Sequence, residues 1–418
     1  MRRFCDNCAM RNELYRRFER YVKIDTKSDE ASKTCPSTPG QLKLARLAAQ
    51  EMKEIGLKKV SVDKNGYVLG ELPANTAKKV PAIGFIAHLD TAPDASGANV
   101  KPQIHRNYKG GPIKIAPGVM LTTADSPELK KCIGEDIVTA SGKTLLGADN
   151  KAGMAIILAA ANFLKNNPQI KHGALKIAFT PDEEIGRGAN RFPLKKFGAH
   201  CAYTVDGDTA GVIEDETFNA DGIAITVTGK SVHPGSAKNV MANAVRIAAD
   251  IAASWPENML PETTEKREGF IMFTACAAGI ESAALKGIAR EHDLKKLRAL
   301  EKMLEAIIAE KRVKYPAARI ELKFTQQYRN MKSELDKHPQ VMEHALAAMK
   351  EEGIVPRIKP VRGGTDGARL SFMGLPTPNI FTGGACFHGD REWVSLHGME
   401  KSARAVIAIL RQWEQASR

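Results

Sequence analysis

Apolar positions recur along this chain with two different periods, and the period changes twice. Residues 10–24 and 40–55 repeat them at helical spacing, the second segment opened by Pro39-Gly40 and closed by Gly56. Val60-Ser61-Val62 and Tyr67–Leu72 read as a hairpin turned at Asn65-Gly66. Ala82–Ala87 is a continuous apolar run, short enough to be a strand. A helix is expected from Ala152 to Asn166, then strands at 174–180 and 201–205. This alternation of strand and helix predicts an α/β layer. Residues 91–135, rich in Gly, Pro and Lys, show little periodicity; a stretch that long is either functional or an ordered insertion.

After Phe218 the pattern shifts. Residues 222–228 alternate as a strand, 238–254 form an Ala-rich helix, and 270–278 form another strand. A short strand near 285–290, a charged helix at 293–314 and a strand at 319–325 follow. Two helices among four strands describe a small α+β sandwich. Past about residue 332 the α/β character resumes, with helices at 339–351 and 397–415. The expected fold class is therefore α/β: a three-layer αβα domain on a mixed, mostly parallel sheet, formed by residues 1–218 and 333–418. Residues 219–332 form an inserted α+β sandwich.

Composition narrows the class. A chain of 418 residues exceeds one ordinary domain, and 43% hydrophobic with 26% charged residues is a globular balance. The longest apolar run, Ala152–Leu164, is broken by Asn162 and is too short for a bilayer. No basic-then-apolar leader opens the chain, so a cytoplasmic protein with no membrane partner is expected. The net charge of +13 raises the question of nucleic acid. Its Lys and Arg are scattered along helices, and aromatic residues are only 6%, so no nucleic-acid partner is expected. Seven widely spread cysteines suit reduced thiols. Cys5-Asp6-Asn7-Cys8 is a C-x-x-C without the second pair that a structural zinc needs.

Candidate chemistry begins with Phe179-Thr180-Pro181-Asp182-Glu183-Glu184. Two glutamates follow a strand end, where ligands of open α/β sheets bind. Neighbours in extended chain point to opposite sides, so one could hold a metal while the other handles a proton. By itself the pair is ordinary loop charge. Its companions change that reading. His88-Leu89-Asp90 ends the strand begun at Ala82, and a carboxylate two residues on can orient a metal-bound His. Asp149 precedes a helix, where an N-cap is the plain reading. Asp206 lies at a strand end, and His388 lies in a Gly-rich loop. Two His and three or four carboxylates at element boundaries form the ligand set of two zinc-like ions bridged by one carboxylate. Nitrogen and oxygen donors without thiolate suit Zn, Mn or Co.

Segments 88–94, 144–153, 179–186, 230–239, 362–380 and 381–389 together resemble the di-zinc exopeptidase family that includes acetylornithine deacetylase and glutamate carboxypeptidases. Within it, Thr365-Asp366-Gly367 and the 362–380 string point to the tripeptide aminopeptidase branch. The match runs from about Leu14 to the C-terminus. The resemblance implies two zinc ions per subunit, with Co or Mn as alternatives. His88, Asp149 and Asp206 would hold one ion; Asp149, Glu184 and His388 the other. It makes Glu183 the general base and has Asp90 orient His88. His233 would help stabilise the oxyanion, Arg290 would bind a substrate carboxylate, and residues 219–332 would be a lid. Short peptides are the implied partners, and the resemblance allows a homodimer.

The sequence also departs from the family pattern. Asn150 stands where a second Asp is common, Asp208 replaces a frequent Gly, and Cys386 lies close to a predicted ligand. These bear on substrate range more than on chemistry. The expectation is a metal-dependent aminopeptidase acting on tripeptides. The rivals are a related amidohydrolase, deacylase or carboxypeptidase, and a catalytically dead peptide-binding protein.

Overall fold

In the computed structural model, backbone is described for residues 2–418 and side chains from residue 9 onward. The Cys5–Cys8 side chains therefore lie outside the described residues. Contacts divide the chain into two compact units. The first comprises residues up to Asp215 with Ser333–Lys359 and Thr365–Arg418; the second comprises Glu216–Lys332 and Pro360–Gly364.

The first unit is built on an eight-stranded sheet. Its order is Lys58–Val62, Val68–Leu72, Leu175–Thr180, Ile83–His88, Cys201–Gly207, Asn379–Phe381, Val212–Glu214, Arg357–Ile358. The four consecutive strands from Leu175–Thr180 to Asn379–Phe381 run parallel; the first two join antiparallel. Side-chain alternation feeds two cores. Val68, Phe85, Ile177 and Phe179 pack into one with the helices Arg2–Val22, Pro39–Ile55, Ala148–Asn166 and Leu396–Ala416. Leu69, Ile86 and Ala178 face the other, with Phe197 of the helix Leu194–Phe197 and Leu370 of Asp366–Phe372. Helices on both faces make three layers, and strands covered on both sides read as continuous apolar runs.

One close approach places the later chemistry. An added Cβ on Gly153 would stand 2.1 Å from the Val205 carbonyl oxygen. Glycine there lets the helix Ala148–Asn166 lie against the strand that ends beside Asp206, which brings Asp149 to that strand end. The 91–135 stretch folds as an ordered insertion. Its strand Gln103–His105 pairs with Ile137–Thr139, and its hairpin of Ile113–Ala116 and Val119–Leu121 packs with Ile137 and Trp393 in a small core.

The second unit is a four-stranded antiparallel sheet, ordered Phe270–Ala278, Ser282–Glu291, Asn219–Thr228, Arg319–Tyr328. The helices Ala244–Ala253 and Leu294–Lys314 share its single core. Two sequence expectations are corrected here. The helix expected at 238–254 starts only at Ala244, because the Asn243 side chain accepts the Val245 N–H and caps it there. The short strand near 285–290 spans ten residues, Ser282–Glu291, and is an interior strand of the sheet. No helix among the described residues is long and apolar enough to cross a membrane.

Candidate metal centre

Three adjacent parallel strands end together, and each delivers a group to one spot. His88 is the last residue of Ile83–His88, Glu183 and Glu184 follow Leu175–Thr180, and Asp206 lies near the end of Cys201–Gly207. The helix Ala148–Asn166 contributes Asp149 from its first turn, where the backbone departs from helical values. Gly147, left-handed at φ 80°, is the capping position, so Asp149 is not the N-cap. His388 arrives from a distant loop and is itself left-handed, at φ 64°.

The Asp149 carboxylate lies between the two histidines. Its Oδ1 is 2.8 Å from His88 Nε2, and its Oδ2 is 3.3 Å from His388 Nε2. His388 Nε2 is also 3.0 Å from Glu184 Oε2. Asp206 Oδ1 lies 3.5 Å from His88 Nε2. Donor atoms of His88, Glu183 and Asp206, and likewise of His88, Asp149 and Glu184, all fall within 4.8 Å of one another. Distance alone does not separate the roles of the two glutamates, since each joins one of these groups.

Asp90 is a keystone of the backbone around them. Its two carboxylate oxygens accept the N–H groups of Glu183 at 3.0 Å and Glu184 at 3.1 Å. Its main-chain carbonyl is 3.0 Å from His88 Nδ1, which fixes that nitrogen as donor and leaves Nε2 free to ligate. Oδ1 is further from Nδ1, at 3.4 Å.

The electrostatics are those of a site short of positive charge. Burial lowers the His88 pKa, but Asp206, Asp149 and Asp90 carry it well above its ordinary value. Hydrogen bonds to Asp149 and Glu184 push His388 up to about 11. Burial, then the Asp149 charge, raises Glu184 to about 8; burial with neighbouring carboxylates raises Asp206 to about 7. Glu183 rises well above its usual range, chiefly by burial, with Asp206, Asp366 and Glu184 adding to it. Glu184 Oε1 is buried without a hydrogen-bond partner. An orphaned carboxylate oxygen among converging N and O donors fits divalent cations, which would satisfy it and offset the crowded charge.

Three buried carboxylates beside the site escaped sequence reasoning. Asp182, directly before the glutamate pair, is left-handed at φ 58°. It accepts the Ser37 N–H at 2.9 Å, the Ser37 hydroxyl at 2.5 Å and Gln41 Nε2 at 2.7 Å. Those bonds hold a backbone conformation that a non-glycine residue seldom adopts. Asp182→Ala is expected to cost about 2–4 kcal/mol, because buried donors lose a charged acceptor. Urea unfolding of the metal-free protein checks this; an unchanged midpoint would make the network incidental. Asp366 is buried against Gly188, where an added Cβ would lie 2.2 Å from its Oδ1. Glu392 accepts three backbone N–H groups around Asp149.

The residues flagged as departures are also located. Asp208 pairs with Lys359 at 2.6 Å. Asn150 is buried and accepts the Gly153 N–H. Cys386 is half-buried with its thiol pKa raised by burial, which keeps it neutral. His233 and Arg290 belong to the second unit. His233 is exposed and accepts the Gly235 N–H, whereas Arg290 is partly buried over the Tyr328 ring, 5.4 Å from its centroid. A cavity of about 830 Å³, lined in part by Asp25, Lys27, Asp29 and Asp94, adjoins the histidine side of the site. Its Asp94 Oδ2 is 3.5 Å from His388 Nδ1.

The model of peptidase family M20/M25/M40 matches residues 146–412. Peptidase T of Geobacillus sp. (strain WCH70) is 48% identical over 408 residues, covering 97% of this chain and 100% of that protein. Peptidase T of Listeria monocytogenes serotype 4b (strain F2365) matches with the same identity and coverage. Among solved structures, the aminopeptidase PepT from Bacillus cereus ATCC 10987 is similar with a TM-score of 0.74 at 21% identity, covering 97% of this chain and 99% of that one. A tripeptidase from Staphylococcus aureus subsp. aureus Mu50 gives 0.77 at 20% identity over the same shares. At such identities the structural likeness speaks for the fold.

Proposed function

The chain belongs to peptidase family M20/M25/M40, and from that premise we propose that it is a metal-dependent aminopeptidase removing the N-terminal residue of tripeptides. The observation that carries the proposal is the Asp149 carboxylate standing between His88 and His388, with the orphaned Glu184 oxygen beside them. In this reading Asp149 would be shared by two zinc ions, with Co or Mn as alternatives. His88 and Asp206 would complete one side, Glu184 and His388 the other. Such ions supply Lewis-acid polarisation of a carbonyl and lower the pKa of a water.

The chain's own groups do the rest. Asp90 holds His88 by its carbonyl and both glutamates by their N–H groups, so the donors are set before substrate arrives. Glu183 takes the proton of the attacking water and returns it to the amine nitrogen as the C–N bond breaks. Burial raises the proton affinity of its carboxylate above that of an ordinary glutamate, and nearby cations would lower it again and keep the group ionised. Residues 219–332 would form a lid, with His233 steadying the developing oxyanion and Arg290 receiving the substrate's carboxylate. We place the enzyme in the cytoplasm, acting on short peptides.

The test is a metal-reconstituted assay over di-, tri- and tetrapeptides with product identification, run beside N-acetyl amino acids and acyl-glutamate. Release of the N-terminal residue, fastest from tripeptides, is expected. C-terminal release, or preference for the acylated compounds, would replace the proposal with a deacylase or carboxypeptidase.

A further inference from the structure

The turn that carries Asp149 cannot satisfy its own backbone. It opens the helix Ala148–Asn166, where the first N–H groups have no acceptor one turn earlier. Gly147 is left-handed, and Asp149 and Asn150 lie outside helical values, so the turn has no regular shape to fall back on. A single side chain supplies the missing acceptors. Glu392, 1% exposed, accepts from Leu146 N at 2.6 Å, Gly147 N at 2.8 Å and Asp149 N at 3.1 Å.

Glu392 is 243 residues from Asp149 in the chain but only a turn beyond His388, closed by its own N–H to the Gly389 carbonyl. Immediately after it the strand Trp393–Ser395 pairs with Ile137–Thr139, and Trp393 is fully buried. The carboxylate is thus mounted on a fixed element. It grips one arm of the site, Asp149, while its own segment carries the other, His388.

We propose that Glu392 is a positioning residue: it sets the main chain of Asp149 relative to His388 and thereby the affinity of the site for its metal. The inference rests on the metal-centre reading above, but not on the identity of the substrate. The bonds of Glu392 go to main-chain N–H groups, so it acts through the backbone of a residue assigned to the metals.

The experiment uses the full chain and zinc alone, with affinity read by competition against a chelating dye. Glu392→Gln leaves one acceptor oxygen and turns an amide N–H toward the backbone donors. It is expected to weaken zinc binding by roughly 10–100-fold, the usual effect of losing an outer partner of a metal ligand. At saturating zinc, kcat should fall about tenfold, with KM for a tripeptide unchanged. A merely structural role would lower the thermal midpoint and leave zinc affinity of the folded protein alone. Glu392→Asp keeps the charge but withdraws it by one methylene, and should give a smaller loss if the Gln variant does not fold. Parental zinc affinity in either folded variant overturns the proposal. Zinc binding by the parent without peptide turnover would instead defeat the functional reading and leave this one standing. A parent that binds no zinc overturns both.

Discussion

Glu183→Gln is expected to keep its metal and lose roughly 10³-fold in kcat, within the range that a positioned general base supplies. Glutamine matches glutamate in shape, and the contacts that fix this stretch are to its backbone. Asp90 accepts the N–H groups of residues 183 and 184, so the turn should survive the change. What disappears is the capacity to take a proton. The measurement pairs elemental analysis with steady-state kinetics, and the pairing matters because geometry leaves two roles open for this side chain. A Glu183 oxygen falls within 4.8 Å of donor atoms of both His88 and Asp206. Were Glu183 a ligand, metal content would fall along with the rate. Were it neither, activity would stay at the parental level. Only full metal with lost turnover supports the proton-transfer role.

The same pair shows how far the sequence reaches. The strand before it was legible because it is covered on both faces, which makes Leu175–Thr180 a compact apolar run bounded by punctuation. Its position at a strand end locates the chemistry, and the separate strands that end at His88 and beside Asp206 join it by the same rule. What could not be read was burial of single charges. Asp182, Asp366 and Glu392 look like solvated loop residues, since nothing local distinguishes them from exposed carboxylates. Their burial is created by partners at large separation: Ser37 and Gln41 for Asp182, and the 146–149 turn for Glu392. Asp366 belongs to the Thr365-Asp366-Gly367 stretch that carries the resemblance, while its approach to Gly188 depends on packing. In the second unit the failure was different. Small residues from Ser282 to Ala284 carry little hydrophobic signal, so an interior ten-residue strand shows only its later part, near 285–290.

Asp149→Ala is expected to release the metal altogether. The carboxylate meets both histidines, one through each oxygen, so its removal takes an oxygen donor from beside each of them at once. Losing Lewis-acid stabilisation of several kcal/mol, at about 1.4 kcal/mol per factor of ten, predicts a drop in kcat of roughly 10³-fold or more. The metal-free variant should remain folded. Asp149 is one of several crowded carboxylates, and Glu392 grips its backbone, which alanine retains. Circular dichroism of metal-free protein would separate loss of metal from loss of fold. Asp149→Asn sharpens the case for sharing. It presents one acceptor oxygen where the acid presents two, and its amide N–H₂ cannot ligate. If one carboxylate bridges two ions, the Asn variant should hold about one equivalent of zinc by elemental analysis while the parent holds about two. Two equivalents in the Asn variant would mean that Asp149 serves a single ion, and that the second is held without it.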